Sequence, residues 1–270
     1  MSVVLAGCTW DQPPVNWQAP SPIVAGADTA VRYVARWAPG ATPEVSVARH
    51  AIADSAADAV ASHVVGACPG SWVSAAPARG SLWSAWWQIR PDSSAALMSE
   101  QRDSAGGVVR RLLVDSVDTA LLGCARPAPA ITVDSANGYV HVGYYMVAPE
   151  GPGIFYAHLM DMRASHFERP LAIVYGEKPA RIAVASRGDT VAVAYEDPNS
   201  ELGRIAMSMS FTAGHLFEQT ARLIPVSTGS QQASAPQIVR LAGAQVWVGW
   251  TEDSQSGRAF LLRRARIVPR

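Results

Sequence analysis

A chain of 270 residues, 49% hydrophobic and 16% charged, is long enough for one large all-β domain and too apolar for intrinsic disorder. Its 22 basic residues balance 22 acidic ones, so it lacks the cationic excess with which nucleic-acid binders displace phosphate counterions. No apolar run reaches the 18 or so residues of a membrane-spanning helix.

At the N-terminus, Leu5-Ala6-Gly7-Cys8 resembles a bacterial lipobox. The resemblance implies Cys8 as a lipidation site, its thiol acylated and the small residues before it fitting the peptidase. The other reading is a short apolar tail packed on the domain, because seven residues hold neither a basic region nor a long apolar stretch. Thr9 to Pro22 carries four prolines among Gln12, Asn16 and Gln18 and reads as a semi-rigid spacer. Trp10 and Trp17 within it suit a membrane–water interface or the first sheet of the domain.

From there on the chain repeats itself. Pro22-Ile23-Val24 leads to a strand ending at Trp37, and Ala76-Pro77 leads to Ser81–Trp86. Ala128-Pro129-Ala130-Ile131-Thr132-Val133 leads to Tyr139–Tyr144, and Lys178-Pro179-Ala180-Arg181-Ile182-Ala183-Val184 to Thr190–Tyr195. Ala235-Pro236-Gln237-Ile238-Val239 leads to Gln245–Trp250. Each copy has a proline, a short apolar strand, a turn, then an alternating strand closed by an aromatic: Trp37, Trp86, Tyr144, Tyr195 or Trp250. A repeat of this length holds the four short strands of a propeller blade. The expected fold is an all-β propeller of five four-stranded antiparallel blades, or six if a blade precedes the first copy, over residues 23–270 behind a tether at 1–22. The last copy has only eight residues after Leu262, so residues around Val15 to Val24 are expected to supply its missing outer strand. The Ala-rich stretch Ala51–Val65 is the one segment that reads as helix or outer strand alike.

The repeats resemble those of sialidase-like propellers, whose hairpins carry an Asp-box, Ser-x-Asp-x-Gly-x-Thr-Trp/Phe. Ser210-Phe211-Thr212-Ala213-Gly214-His215-Leu216-Phe217 keeps Ser210, Gly214 and Phe217, with Thr212 in place of the aspartate and Leu216 in place of the threonine. Arg102–Val109 keeps Gly106, and Met160–Phe167 little beyond its aromatic. The box is structural, so the resemblance implies a fold and no activity.

Chemistry is harder to find. The arginine triad and the early Phe/Tyr-Arg-Ile-Pro motif of catalytic sialidases are absent, and Tyr33-Val34-Ala35-Arg36 does not replace the motif. Glu196-Asp197 and Glu252-Asp253 follow the closing aromatics of two adjacent repeats and would line one face as ligand-mouth acids, or stand as solvated turn residues. His50, His63, His141, His158, His166 and His215 have no metal-binding spacing, so no metal or cofactor is expected. Trp83, Trp86 and Trp87 share one strand, with one of the last two open to a partner if not buried. With Cys8 acylated, Cys68 and Cys124 remain as a disulfide candidate. Their similar places in successive repeats argue against a bridge, because equivalent points on blades diverge away from the axis.

These readings favour a non-catalytic, extracytoplasmic propeller. It would be held at the membrane by Cys8 and would scaffold protein subunits of a membrane complex, with no nucleic acid as partner. The alternative is a carbohydrate-active protein, a glycan-binding module or sialidase-like hydrolase, with acids and aromatics gathered at one mouth of the axial channel.

Overall fold

The computed structural model describes residues 14–26, 31–36, 44–49, 64–75, 81–161, 163–218, 221–229, 231–255 and 257–268. They form five antiparallel sheets, with no α-helix among them. Trp37, Cys8 and most of the Ala-rich stretch 51–65 lie outside the described residues.

Blade I contributes β3 (Val31–Arg36) and β4 (Glu44–Arg49). Blade II runs β5 (Val73–Ala75), β6 (Leu82–Ile89), β7 (Ala95–Arg102) and β8 (Val108–Asp115) from inner to outer edge. Blade III repeats this with β9 (Ala130–Val133), β10 (Val140–Ala148), β11 (Gly151–Leu159) and β12 (Leu171–Tyr175). Blade IV consists of β13 (Ile182–Arg187), β14 (Thr190–Glu196), β15 (Ile205–Ser210) and β16 (Ile224–Pro225). Blade V has three strands of its own, β17 (Gln232–Ala242), β18 (Gln245–Ser254) and β19 (Gly257–Ile267). The inner strands β5, β9, β13 and β17 adjoin one another in turn, the arrangement of a propeller.

The start of the chain completes blade V. β1 (Val15–Trp17) pairs with β19 in the register Val15↔Ile267, and β2 (Ser21–Gly26) pairs along the same strand at Phe260↔Val24. Residues 15–17 therefore belong to this sheet although they fall within the segment read as a tether over 1–22. Val15 is buried in the core between blades IV and V, and Arg263 lies over the Trp17 ring at 5.1 Å.

Period-2 alternation explains the seams. On β10, Val142, Tyr144 and Met146 face blade II, where they meet Trp83, Ala85 and Trp87. The intervening Tyr145, with Ile154 and Tyr156 of β11, faces Val191, Val193 and Tyr195 of blade IV. Ala192 and Ala194 face Val246, Val248 and Trp250 of blade V. Tyr144, Tyr195 and Trp250 thus each point back at the preceding blade. Trp86 points away from blade III and stacks on Trp72 at 4.4 Å. Each of these rings is fully buried, contributing on the order of 1.5–3 kcal/mol of transfer free energy.

Cys68 and Cys124 form a disulfide with Cα atoms 5.3 Å apart, which corrects the expectation that they stay separate. Both lie on segments leading to inner strands, β5 and β9, and these strands adjoin. The divergence of adjacent blades applies farther from the axis than these cysteines sit.

Candidate functional site

A cleft of about 620 Å³ opens where the chain enters three successive inner strands. Its walls are Ala125–Pro127 before β9, Lys178–Arg181 before β13, and Gln232–Ser234 opening β17. The β14–β15 loop, with Glu196, Asp197, Ser200, Glu201 and Gly203, forms the remaining side. The wall at Arg126 is fixed from several directions. Arg126 pairs with buried Asp118 at 2.9 Å, donates to the carbonyls of Gly123 and Ala120, and lies over the Trp87 ring. The Trp87 indole donates to the Pro127 carbonyl at 2.8 Å, and the Cys124 bridge ties the same segment to blade II.

The charged groups of the cleft divide into committed and free. Glu196 is committed: its Oε2 accepts the Arg181 N–H at 3.0 Å and its Oε1 the Ala235 N–H at 2.9 Å, so it joins inner strands of two blades. Lys178 donates to the Ser200 carbonyl at 2.7 Å. Asp197 uses Oδ1 to receive the Asn199 N–H at 3.0 Å, closing the turn that aims the loop. Arg181 and Glu201 are exposed, and no hydrogen bond or ion pair among the described residues holds either side chain. Cleft and loop therefore present carboxylates, a guanidinium and the polar side chains of Gln232 and Ser234 to one space.

The other proposed mouth acids stand apart. Glu252 Oε1 accepts the Trp250 indole N–H at 2.8 Å, and Asp253 receives Arg258 through two bonds of 2.6 and 2.9 Å. That pairing holds the Asp253 carboxyl below its ordinary range. Neither residue lines the cleft. Trp83, Trp86 and Trp87 are all buried, so none of them offers an exposed ring to a sugar. Tyr145 is likewise buried, its hydroxyl donating to the Glu177 carbonyl at 2.7 Å. Sequence reasoning reached Glu196 and Asp197 through their place after Tyr195 but passed over Arg126, Lys178 and Glu201, whose spacing follows no motif.

At the opposite end of the strands, the Asp-box-like loop is held by the kept Ser210 together with Thr212 in place of the aspartate. Ser210 Oγ accepts the Gly214 N–H at 3.1 Å, and Thr212 Oγ1 accepts the Leu216 N–H at 3.0 Å in the manner open to an aspartate. Gly214 adopts φ +94°, and Phe217 packs edge-on to Tyr156 at 5.0 Å. On that side His158, Glu168 and His215 bring donor atoms within 4.8 Å of one another. Sequence spacing, on which the expectation of no metal rested, gives no sign of this grouping, because two blades assemble it.

No protein-family model and no curated protein matches the chain. Solved structures do. The catalytic domain of the Coprinopsis cinerea GH62 α-L-arabinofuranosidase is similar at 13% identity over 74% of this chain and 64% of its own, with a TM-score of 0.41. Trypanosoma rangeli sialidase in complex with sialic acid matches at 10% identity over 87% of this chain and 37% of its own, TM-score 0.45. The GH43_1 enzyme from Xanthomonas citri, complexed with xylose, matches at 14% identity over 86% and 77%, TM-score 0.39. The chain spans less than two thirds of the first two.

The expectation that the chain is not an enzyme is corrected. The similar structures just named are glycoside hydrolases and a sialidase, and a missing sialidase motif is by itself no ground for excluding catalysis, because one fold hosts many chemistries.

Proposed function

We propose that the chain is a carbohydrate-active propeller that takes an oligosaccharide into the cleft and hydrolyses a glycosidic bond there. The observation that carries this reading is the β14–β15 loop. It sets Asp197 and Glu201 over a polar cleft beside the unpaired Arg181, while Glu196 is consumed in holding the blades together. Glycoside hydrolysis asks for two carboxyl groups, one to protonate the departing oxygen and one to activate water or attack the sugar carbon. Asp197 and Glu201 are the pair assigned to these roles. Arg181 offers two-point hydrogen bonding to a carboxylate or to adjacent hydroxyls.

The test is hydrolysis and binding across a panel of arabinofuranosides, xylosides and sialosides, with Asp197→Asn and Glu201→Gln as variants. Turnover by the native chain and a loss of about 100-fold or more in each variant supports the reading. Neither binding nor turnover on any substrate, or activity indifferent to both substitutions, overturns it.

We also propose that Cys8 is acylated and that the domain works on the extracytoplasmic face of a membrane, within reach of membrane-bound subunits. The disulfide supports this, since such bridges persist in oxidising compartments. Mass spectrometry of protein extracted from native membranes tests it: a diacylglyceryl adduct on Cys8 is expected, and an unmodified soluble chain overturns it.

A further inference from the structure

We propose that His158, Glu168 and His215 bind a divalent transition metal of the zinc class across the seam between blades III and IV. The site is separate from the cleft and independent of the reading of it. His158 lies on the face of β11 turned to blade IV, and Glu168 stands on the following loop, its backbone N–H donating to the His158 carbonyl at 2.9 Å. His215 comes from blade IV, on the turn that Ser210 and Thr212 hold in shape.

Two of the donor separations bracket the spacing a tetrahedral ion needs, and the third pair lies within 4.8 Å. Glu168 Oε2 lies 3.0 Å from His158 Nε2 and 3.7 Å from His215 Nδ1. Ligands about 2.0–2.1 Å from a tetrahedral zinc stand roughly 3.3 Å apart, between these two values. The imidazole rings are 5.0 Å apart and perpendicular. Two imidazoles and one carboxylate suit zinc, cobalt and nickel and leave a fourth position for water.

A second observation points the same way. The His158 side chain is only 4% exposed, yet Nε2, the nitrogen that faces Glu168, makes no hydrogen bond of acceptable geometry. A buried imidazole nitrogen left vacant is costly, and an ion bound by His158 Nε2 would recruit it. Glu168 and His215, each about half exposed, give an ion access from solvent.

The experiment uses the full chain, stripped with chelator and dialysed, then titrated with Zn²⁺ or Co²⁺. One equivalent bound, a ligand-field spectrum of tetrahedral or five-coordinate Co²⁺, and a rise in Tm with Zn²⁺ are expected. Glu168→Gln and His215→Ala, both at half-exposed positions, should each weaken binding by roughly tenfold or more, while His166→Ala leaves it unchanged. No stoichiometric binding overturns the proposal, as does binding that survives both donor substitutions or falls with His166→Ala. Circular dichroism of each variant separates loss of a ligand from loss of fold.

Discussion

Glu196 and Ala235 are joined across the seam between blades IV and V, the Glu196 carboxylate accepting the Ala235 amide at 2.9 Å while its other oxygen accepts Arg181 of its own blade. Replacing it by glutamine leaves one oxygen for two amides and turns an NH₂ group toward the other. Glu196→Gln should lower stability by about 1–3 kcal/mol, read by chemical denaturation. Any loss of activity should track the folded fraction. Asp197→Asn and Glu201→Gln should do the reverse, sparing Tm and removing turnover.

Gly214 admits no side chain. Its φ of +94° strains any L-residue, and an added Cβ would run into the hydroxyl and ring of Tyr156. Gly214→Ala should cost about 2–4 kcal/mol from strain and overpacking together, seen as a lower denaturation midpoint with an unchanged slope.

The Cys68–Cys124 bridge closes a loop across a sequence separation of 56 residues. Cross-links of that length stabilise by about 4 kcal/mol in the chain-entropy account, so the Cys68→Ser, Cys124→Ser double variant should melt several degrees lower. Because Cys124 adjoins the Ala125–Pro127 wall, ligand affinity at the cleft should fall as well, measurable by titration at a temperature where the variant is still folded.

Tyr144 donates its hydroxyl to Asp115 at 2.5 Å, and burial beside that carboxylate holds its pKa well above the ordinary value. Burial raises Tyr156 and Tyr195 too. A raised folded pKa means the folded state keeps protons that the unfolded state gives up, so the stability from these groups is complete below about pH 10 and declines above it. Burial also raises Tyr145, so ultraviolet titration should find at least three of the seven tyrosines ionising only as the chain unfolds. Tyr144→Phe should flatten the alkaline decline in Tm.

The strands and their closing aromatics were legible because alternation is a local signal and a ring buried between sheets needs a large apolar side chain at a fixed place. The N-terminal completion of blade V was legible from the shortage of residues after Leu262. The disulfide was misread because the repeat gives the order of blades but not the distance of a residue from the axis. The cleft was half legible: Glu196 and Asp197 follow a repeat landmark, whereas Arg126, Lys178 and Glu201 meet only through three separate loops. His158, Glu168 and His215 carry no pattern at all, since blade packing alone brings them together.

The pairing of β1 and β2 with β19 has a consequence for how the molecule comes into being. β1 and β2 wait for β19, so this sheet cannot be completed until synthesis has passed Ile267. Until then blade V offers an unmatched backbone edge, and each such edge invites a neighbouring chain. Contacts spanning almost the entire polypeptide also make for slow maturation. Deleting Val15–Trp17, or Ala265–Ile267 opposite them, should therefore harm yield more than the small size of either segment suggests.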